Sequence, residues 1–263
     1  MIARALTIAG SDSGGGAGIQ ADLKTFHEFG VFGMSVLTAL TAQDTTGVHD
    51  VHVVPASFVS AQLDAVAGDI GVDAVKTGML ADAAVIGAVA EGVDRHGIDR
   101  LVVDPVCASK HGDPLLPDEA LAALREEIVP RAEVLTPNTG EVHLLTGVEI
   151  AGVGDLERAA EALLRLGPRW VLVKGGHLPG NVDATDLLTD GETTVRLTSQ
   201  RLDTADTHGT GCTLAAAIAA RRAAGDDVVA AVRAAKEFVT GAIRHGLRLG
   251  KGIGPVDHGW RRR

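Results

Sequence analysis

Short runs of apolar, often β-branched residues alternate along this chain with longer alanine-rich segments of helical period. This alternation is typical of βαβ units, in which helices cover a parallel sheet. It predicts strands near residues 3–9, 35–41, 73–77, 100–104, 133–136 and 170–174. Helices are predicted between them, near residues 17–29, 56–68, 81–96, 117–128, 140–146 and 156–166.

The last third of the chain departs from this alternation. Residues 183–189 and 193–197 flank Asp190-Gly191, a pair that favours positive φ, and they predict a hairpin. Residues 210–224 and 228–249 predict two final helices. Because no linker, repeat or low-complexity block divides the series, we predict one α/β domain over residues 1–263. Its architecture should be a three-layer α/β/α sandwich with a mostly parallel central sheet.

Charge and hydrophobicity exclude several classes of protein. The formal net charge is −10 and the largest basic cluster is 261–263, which argues against a nucleic-acid partner. No run of 18 apolar residues occurs, and Met1 leads into a predicted strand without a signal-peptide pattern. We therefore expect a soluble, cytoplasmic protein with no membrane partner. Cys107 and Cys212 match neither a disulfide framework nor a metal-site spacing.

The segment 206–214 reads as an anion hole at the start of a helix. Its small residues run directly into an alanine-rich apolar stretch. The first N–H groups of a helix have no intrahelical partner, and the helix dipole adds partial positive charge, so a phosphate is favoured there. Gly209 and Gly211 allow close approach of the backbone, and Cys212 falls in the first turn, where the pKa of a thiol is usually lowered.

A second glycine-rich segment, residues 10–22, follows the first predicted strand and opens a helix. Residues 16–21 fit the loose dinucleotide fingerprint G-x-G-x-x-A, but the match is weak. The nearest acidic residue, Asp44, lies past the end of the second predicted strand at too long a spacing. The segment also lacks the Gly-Lys-Ser/Thr of a P-loop. A flexible connection that binds nothing is disfavoured by the density of glycines.

Polar residues follow three further strands at what should be one edge of the sheet, where ligands of open α/β folds collect. They are Asp104, the pair Asn138 and Glu141, and Lys174. The oxygens suit a hydrated Mg²⁺, and the lysine suits a phosphate. Asn138 and Glu141 have a second interpretation, as a helix N-cap and its capping-box partner. Lys174 at the end of an apolar strand requires a charged partner.

Cys212 also admits more than one interpretation. A free cysteine in a helix is commonly a small buried residue. A cysteine hydrolase would need a base, for which His208 is a candidate, but the surrounding phosphate- and metal-binding residues favour a kinase. The other histidines considered, at 27, 49, 52, 96 and 245, show no ligand spacing and predict solvated or core roles.

At this point the motifs resemble those of hydroxymethylpyrimidine/phosphomethylpyrimidine kinases of thiamine biosynthesis, in the ribokinase superfamily. The resemblance rests on AGSDSGGGAGIQADLKTF at 9–26, TAQ at 41–43, KTGML at 76–80, KGGH at 174–177 and THGTGCTL at 207–214. It continues to GIGPVDH at 252–258 and so covers nearly the whole chain. Sugar kinases of the superfamily generally carry Asp where this chain has Cys212, and the cysteine is typical of the vitamin kinases.

The resemblance implies a ribokinase-like fold and ATP-dependent phosphorylation of 4-amino-5-hydroxymethyl-2-methylpyrimidine, then of its monophosphate. It implies ATP and Mg²⁺ as cofactors and a homodimer. It implies that Gly209, Thr210, Gly211 and Cys212 form a phosphoryl-binding turn, in which the Cys212 thiolate activates the substrate hydroxyl. It implies that Lys174 and Thr207 contact the ATP phosphates and that Asp104, Asn138 and Glu141 hold Mg²⁺, mainly through water. The residues implied to contact the pyrimidine are Gly10, Asp22, Gln43, Met79 and Val106.

The chain departs from the family pattern at two places. Cys107-Ala108 follows Asp-Pro-Val, and Ala205-Asp206 stands where family members often have Lys-Asn. The second change makes the potential beside the anion hole less favourable to phosphate, so we expect weaker nucleotide binding or a shifted ion preference.

Three alternative functions stay open: a pyridoxal or pyridoxamine kinase, a catalytically weak pyrimidine-binding protein, and a dinucleotide-dependent oxidoreductase. Residues 14–16 and 109–113 are candidates for a lid.

Overall fold

The computed structural model describes residues 2–107, 116–176, 178 and 183–263. Its strands are β1 Arg4–Ala9, β2 Phe32–Leu37, β3 Ala39–Asp44, β4 Gly47–Val53, β5 Ala74–Thr77, β6 Leu101–Val103, β7 Val134–Leu135, β8 Trp170–Val173, β9 Asp183–Thr189 and β10 Thr194–Gln200. Its α-helices are α1 Gly18–Glu28, α2 Ala56–Asp69, α3 Ala83–Arg95, α4 Asp118–Ala123, α5 Thr139–Thr146, α6 Leu156–Leu164, α7 Thr210–Ala223 and α8 Val228–Arg244.

Eight strands form the central sheet in the order β10-β9-β8-β7-β6-β5-β1-β2. The pairs from β8 to β2 are parallel, whereas β9 runs antiparallel to both β8 and β10. The predicted, mostly parallel sheet and the predicted hairpin are therefore confirmed. Because β1, β5, β6, β7 and β8 run in one direction, their carboxyl ends meet at the same edge.

Helices cover both faces of this sheet, as the sandwich prediction requires. Alternate residues of a strand face opposite sides, so Val171 and Val173 of β8 pack with one hydrophobic cluster and Leu172 with the other. The first cluster includes buried residues of α2, α3 and α6, and the second includes those of α1, α7 and α8. Helix α7 is buried along most of its length, mainly through alanines, whose small side chains bring the helix close to the sheet.

The predicted strand at 35–41 is wrong in one respect, because the chain leaves the central sheet at Thr38. The Thr38 N–H donates to the Ala9 carbonyl at 3.1 Å and its hydroxyl to the Met79 carbonyl at 2.6 Å. Beyond it, β3 pairs with β4 in a separate two-stranded antiparallel sheet, here called the flap. Strand β4 was not predicted, because its mostly exposed residues present no apolar run. Asp44, expected to lie past the end of a strand, is the last residue of β3.

The remaining boundaries differ little from prediction, apart from the last helix. Helix α8 ends at Arg244 rather than at 249. After it, the Leu247 N–H donates to the Pro255 carbonyl at 2.8 Å, so the chain pairs with its own C-terminal segment instead of continuing the helix. In the parts of the chain that the structure covers, no helix has the length and apolarity needed to cross a membrane.

Candidate active site

A cavity of about 1070 Å³ opens at the carboxyl edge of the central sheet. The loops after β1, β5, β6, β7 and β8 and the start of α7 converge on it. Nearly all of the predicted site residues line it: Gly10, Gln43, Met79, Asp104, Val106, Asn138, Glu141, Lys174, Thr207, Gly209, Thr210, Gly211 and Cys212. The exception is Asp22.

The anion-hole turn contains Gly209, which no other residue could replace without displacing the neighbouring backbone. Gly209 precedes α7 with φ 83°, in the left-handed region, and a Cβ there would lie 1.8 Å from the Gly16 carbonyl oxygen. The next turn of α7 therefore packs closely against the loop after β1. Its N–H groups lie at the helix N-terminus, where an anion is stabilised.

A lysine and two carboxylates face this turn. Lys174 Nζ lies 2.9 Å from Asp104 Oδ1 and 3.9 Å from Glu141 Oε2. A Cβ on Gly211 would lie 3.5 Å from both Asp104 Oδ2 and Lys174 Nζ, so the start of α7 directly adjoins the pair. Burial opposes the charge of Lys174, but Asp104 and Glu141 outweigh it and raise the lysine's pKa. Lys174 is therefore a permanent cation beside the anion hole.

Both interpretations of Asn138 and Glu141 are compatible with the structure, because the predicted capping box is confirmed within the cavity lining. Asn138 Oδ1 accepts the Glu141 N–H at 2.9 Å, and Glu141 Oε2 accepts the Asn138 N–H at 2.7 Å. Burial raises the pKa of Glu141 to about 7, although the Lys174 charge opposes this. The capping bonds hold both side chains at the end of β7 and engage one oxygen of each.

The expected lowering of the Cys212 pKa is wrong for the site as it stands. Burial raises the pKa of this thiol to about 11, and the charge of Lys76, which favours the thiolate, is opposed by the carboxylates of Asp22 and Asp104. The location of Cys212 in the first turn of α7, which would lower the pKa of its thiol, does not outweigh these effects. Cys212 is thus a neutral thiol near pH 7 until its surroundings change.

Asp22 is a correction to the predicted substrate contacts. It is fully buried and does not line the cavity. One of its carboxylate oxygens accepts Lys76 Nζ at 2.8 Å and Thr7 Oγ1 at 2.6 Å. Lys76, also fully buried, does line the cavity, so Asp22 acts on the site through this ion pair and through the effect of its charge on Cys212.

Lys76 lines the cavity although the sequence predicted no role for it, and its KTGML motif contributed only to the family resemblance. The available signal was a lysine inside the buried strand β5, where an unpaired ammonium could not be tolerated. Gly78 leaves space for it, since a Cβ there would lie 2.8 Å from Lys76 Nζ. The Lys76 charge lies close enough to Cys212 to favour the thiolate of that residue.

The loop after β1 is organised by Asp12. Its carboxylate accepts the N–H groups of Gly14 at 2.8 Å, Gly16 at 3.1 Å and Ala17 at 2.8 Å, and it contacts His208 Nε2 at 2.8 Å. Burial would raise the pKa of Asp12, but these hydrogen bonds hold it below its usual value. Asp12 thus engages two amides of the segment 16–21, those of Gly16 and Ala17, which argues against the oxidoreductase alternative.

His208 is likewise engaged, which weakens the hydrolase interpretation of Cys212. Its ring pairs with Asp12, and its backbone pairs with the C-terminal segment, with the N–H donating to the Gly254 carbonyl at 3.0 Å. A general base needs to reach the nucleophile that it activates. In the described part of the chain, no hydrogen bond joins His208 to Cys212.

Asp206 does not affect the site as the sequence suggested. It does not line the cavity. Its carboxylate lies against Gly254, where a Cβ would come within 2.1 Å of Oδ1, and 3.9 Å from Arg248 Nε. The carboxylate introduced by the Ala205-Asp206 departure therefore contacts the C-terminal segment and Arg248 and does not line the cavity.

The part of the cavity where the sequence predicts pyrimidine contacts lies between the loop after β1 and the flap. Ser13 Oγ donates to the Gln43 carbonyl at 2.7 Å and accepts its N–H at 2.8 Å, while the Thr41 hydroxyl donates to Gln43 Oε1 at 3.1 Å. The wall behind is apolar: Met79 Cε lies so near Gly10 that a Cβ there would approach it to 2.5 Å. Gln43 and the apolar side chain of Met79 therefore both line this cavity.

The opposite end of the cavity was not predicted. It is lined by the end of β10 and the loop after it, 199–204, by Asp186, and by Lys236, Val239, Thr240 and Ile243 on α8. These residues lack a recognisable motif, and only the packing of α8 against the β9–β10 hairpin brings them to the same edge. His177 and the candidate lid at 109–113 lie outside the described residues.

Comparison with known proteins identifies what the chain is similar to. The family model "Phosphomethylpyrimidine kinase" matches residues 12–257. The hydroxymethylpyrimidine/phosphomethylpyrimidine kinase of Streptomyces coelicolor is 58% identical over 258 residues, covering 97% of this chain and 94% of that protein. The thiamine biosynthesis bifunctional protein ThiED of Geobacter sulfurreducens is 51% identical over 96% of this chain and 51% of its own length. An ADP complex of Bacillus subtilis pyridoxal kinase superposes with a TM-score of 0.94 at 43% identity, covering 100% of this chain and 99% of the other.

Proposed function

The chain belongs to the phosphomethylpyrimidine kinase family, and from that premise we propose how its cavity carries out the reaction. The protein is an ATP-dependent kinase of thiamine biosynthesis that phosphorylates hydroxymethylpyrimidine and then its monophosphate. One observation carries the assignment of roles: the glycine-built start of α7 adjoins the Lys174–Asp104 pair at the edge of a cavity large enough for two substrates.

The transferred phosphoryl group is stabilised at the start of α7. Phosphoryl transfer depends on positioning and charge stabilisation more than on covalent chemistry by the protein. The N–H groups of Gly209 to Cys212 donate hydrogen bonds to the phosphoryl oxygens, and Lys174 neutralises the charge of the ATP phosphates. Thr207, which lines the cavity just before this turn, contacts the same phosphates. The nucleoside of ATP extends toward the end formed by β10 and α8.

Cys212 acts on the acceptor. In the first step the acceptor is an alcohol, which must lose its proton. Cys212 receives this proton only as a thiolate, so the proposal requires that substrate binding lower the raised pKa of this thiol, toward which the charge of Lys76 already contributes. In the second step the acceptor is a phosphate oxygen that is already ionised, so no base is needed. The requirement for Cys212 should therefore be much greater for the first phosphorylation than for the second.

The acidic residues fit a magnesium ion that keeps its water. Glu141 Oε2 and Asn138 Oδ1 each accept a capping N–H, and Asp104 Oδ1 accepts Lys174, so these side chains offer few oxygens for direct coordination. Hydrated Mg²⁺ needs few protein ligands. Asp104, Asn138 and Glu141 would hold it mainly through water. When bound with ATP, the ion neutralises phosphate charge.

The acceptor ring binds between the flap and the loop after β1. The Gln43 amide can both donate to and accept from an aminopyrimidine edge. Met79, Val106 and the backbone of Gly10 supply the wall against which the ring lies. The same pocket suits pyridoxal, a second heteroaromatic alcohol, and the likeness to a pyridoxal kinase supports testing that substrate alongside.

The protein acts as one domain, in the cytoplasm and as a homodimer. The flap exposes Leu40, Val51 and Val53, at 44, 41 and 38%, and α2 exposes Phe58 at 60%. Apolar side chains exposed on neighbouring elements support an interface between two copies. Sedimentation velocity of the purified protein, compared with a variant carrying Phe58→Ser and Val51→Ser, tests this point.

The decisive experiment follows ADP release with Mg²⁺-ATP and one of three acceptors: hydroxymethylpyrimidine, its monophosphate, or pyridoxal. Cys212→Ala should lower kcat for the alcohol by about 10²- to 10⁴-fold, the usual contribution of a general base, and lower kcat for the monophosphate far less. Cys107→Ala is the matched control, because this thiol does not line the cavity. Pyridoxal turnover alone would assign the protein to vitamin B6 metabolism, and pyrimidine binding without ADP release would identify a binding protein.

A further inference from the structure

The flap carries Gln43, yet it does not belong to the central sheet. Strands β3 and β4 pair only with one another. The base of the flap is held near Thr38, and Gln43 is held by Ser13. The far end, where Thr45 and Thr46 connect the two strands, must be positioned by something other than the sheet.

The C-terminal segment 250–254 holds that far end. The Thr45 hydroxyl accepts the N–H groups of Lys251 and Gly252, each at 3.1 Å, and the Thr45 carbonyl accepts the Ile253 N–H at 2.8 Å. The approach is so close that a Cβ on Gly252 would lie 1.9 Å from the Thr45 carbonyl oxygen. Thr45 and this segment are more than 200 residues apart in sequence, so this contact is purely tertiary.

The same segment reaches the anion-hole turn at its other end. Gly254 accepts the His208 N–H at 3.0 Å, and the Val256 N–H donates to the His208 carbonyl at 3.1 Å. His208 immediately precedes Gly209, and its ring contacts Asp12, whose neighbour Ser13 holds Gln43. These hydrogen bonds, together with the backbone that joins Gln43 to Thr45 and Asp12 to Ser13, form a closed circuit through residues 250–256 and His208.

From this geometry we infer that Thr45 is a positioning residue. Through residues 250–254, which we call the strap, it fixes the flap and Gln43 relative to the anion hole, and so sets the distance between the bound pyrimidine and the transferred phosphoryl group. Thr45 itself does not line the cavity. The inference rests on the proposed function, because it assigns Gln43 to the acceptor.

Three variants test the inference. Thr45→Val keeps the shape of the side chain but removes the acceptor for two N–H groups, whereas Thr45→Ser keeps the hydroxyl. Thr46→Val is the matched control. Thr46 lies in the same turn, is exposed, and its hydroxyl contacts only Asp44 among the described residues. Each variant is assayed for KM and kcat with each pyrimidine and with ATP, for pyrimidine binding by calorimetry, and for thermal stability.

Thr45→Val should raise KM and Kd for the pyrimidines by about three- to tenfold, the range expected from the loss of one or two modest hydrogen bonds. The KM for ATP should not change, Thr45→Ser should restore the pyrimidine values, and Thr46→Val should match the wild type. A fall in stability with unchanged pyrimidine affinity would overturn the inference, as would equal effects on ATP and pyrimidine. Absence of pyrimidine turnover in the wild type would instead refute the proposed function, and calorimetry would still decide the role of Thr45.

Discussion

The ion pair between Asp22 and Lys76 should be one of the most important single interactions for the stability of this protein. Both side chains have no exposed surface, and Lys76 Nζ lies 2.8 Å from Asp22 Oδ2. At an effective dielectric constant of about 20, two unit charges at this distance attract by about 6 kcal/mol. Removing one partner also leaves the other charge buried alone, which costs about 3 to 5 kcal/mol in comparable cases.

Asp22→Asn should therefore lower the free energy of unfolding by about 3 to 5 kcal/mol, since the amide keeps the volume but not the charge. The measurement is urea denaturation followed by tryptophan fluorescence, with linear extrapolation to water. Lys76→Met in the same chain removes the stranded ammonium, so the double variant Asp22→Asn/Lys76→Met should be more stable than Asp22→Asn alone. With Lys76→Met measured alone as well, the double-mutant cycle gives the coupling between the two residues.

An exposed pair of equal length provides the control. Arg196 and Glu157 also lie 2.8 Å apart, but their side chains are 52 and 60% exposed. Solvent screening predicts that Glu157→Gln changes the free energy of unfolding by less than about 1 kcal/mol. If Asp22→Asn were no more destabilising than Glu157→Gln, or if adding Lys76→Met lowered stability further by its full single-variant effect, the reasoning from burial would be refuted.

Two further predictions concern the anion-hole turn and the residues behind it. Burial lowers the pKa of His258 to about 4, so the unfolded state binds a proton that the folded state excludes between about pH 6.5 and 4. As the pH is lowered from about 6.5 to 4, the free energy of unfolding should therefore fall by about 3 kcal/mol more in the wild type than in His258→Gln. Urea denaturation at several pH values measures this, and parallel curves of unfolding free energy against pH for the two proteins would contradict it. Gly209→Ala should lower kcat by at least about 10²-fold, because the added Cβ would meet the Gly16 carbonyl. The control is Gly225→Ala, which is also at positive φ but has nothing within 4 Å of the added Cβ, and it should leave kcat unchanged. Equal kcat values for the two variants would show that the turn tolerates displacement.

Much of the site was accessible from the sequence because parallel strands bring their carboxyl ends to one edge. Asp104, Asn138 and Lys174 follow consecutive strands of the sheet, and the glycines of 206–214 identify a helix start, so their convergence needed no coordinates. The capping box could also be predicted, since it depends on residues only three positions apart. Asp22 was misplaced because its sequence position gives its helix but not the direction of its side chain.

What the sequence alone determined are the features that depend on local spacing: the alternation of strands and helices, the glycine turns, and the order of polar groups along one edge of the sheet. What only the tertiary structure decided are the features that depend on distant segments meeting. The partner of Lys76 is Asp22, the pKa of Cys212 follows from burial between charges, and the flap is held by residues more than 200 positions away. The physical reason is that desolvation and charge pairing depend on distance in space, which local pattern does not encode.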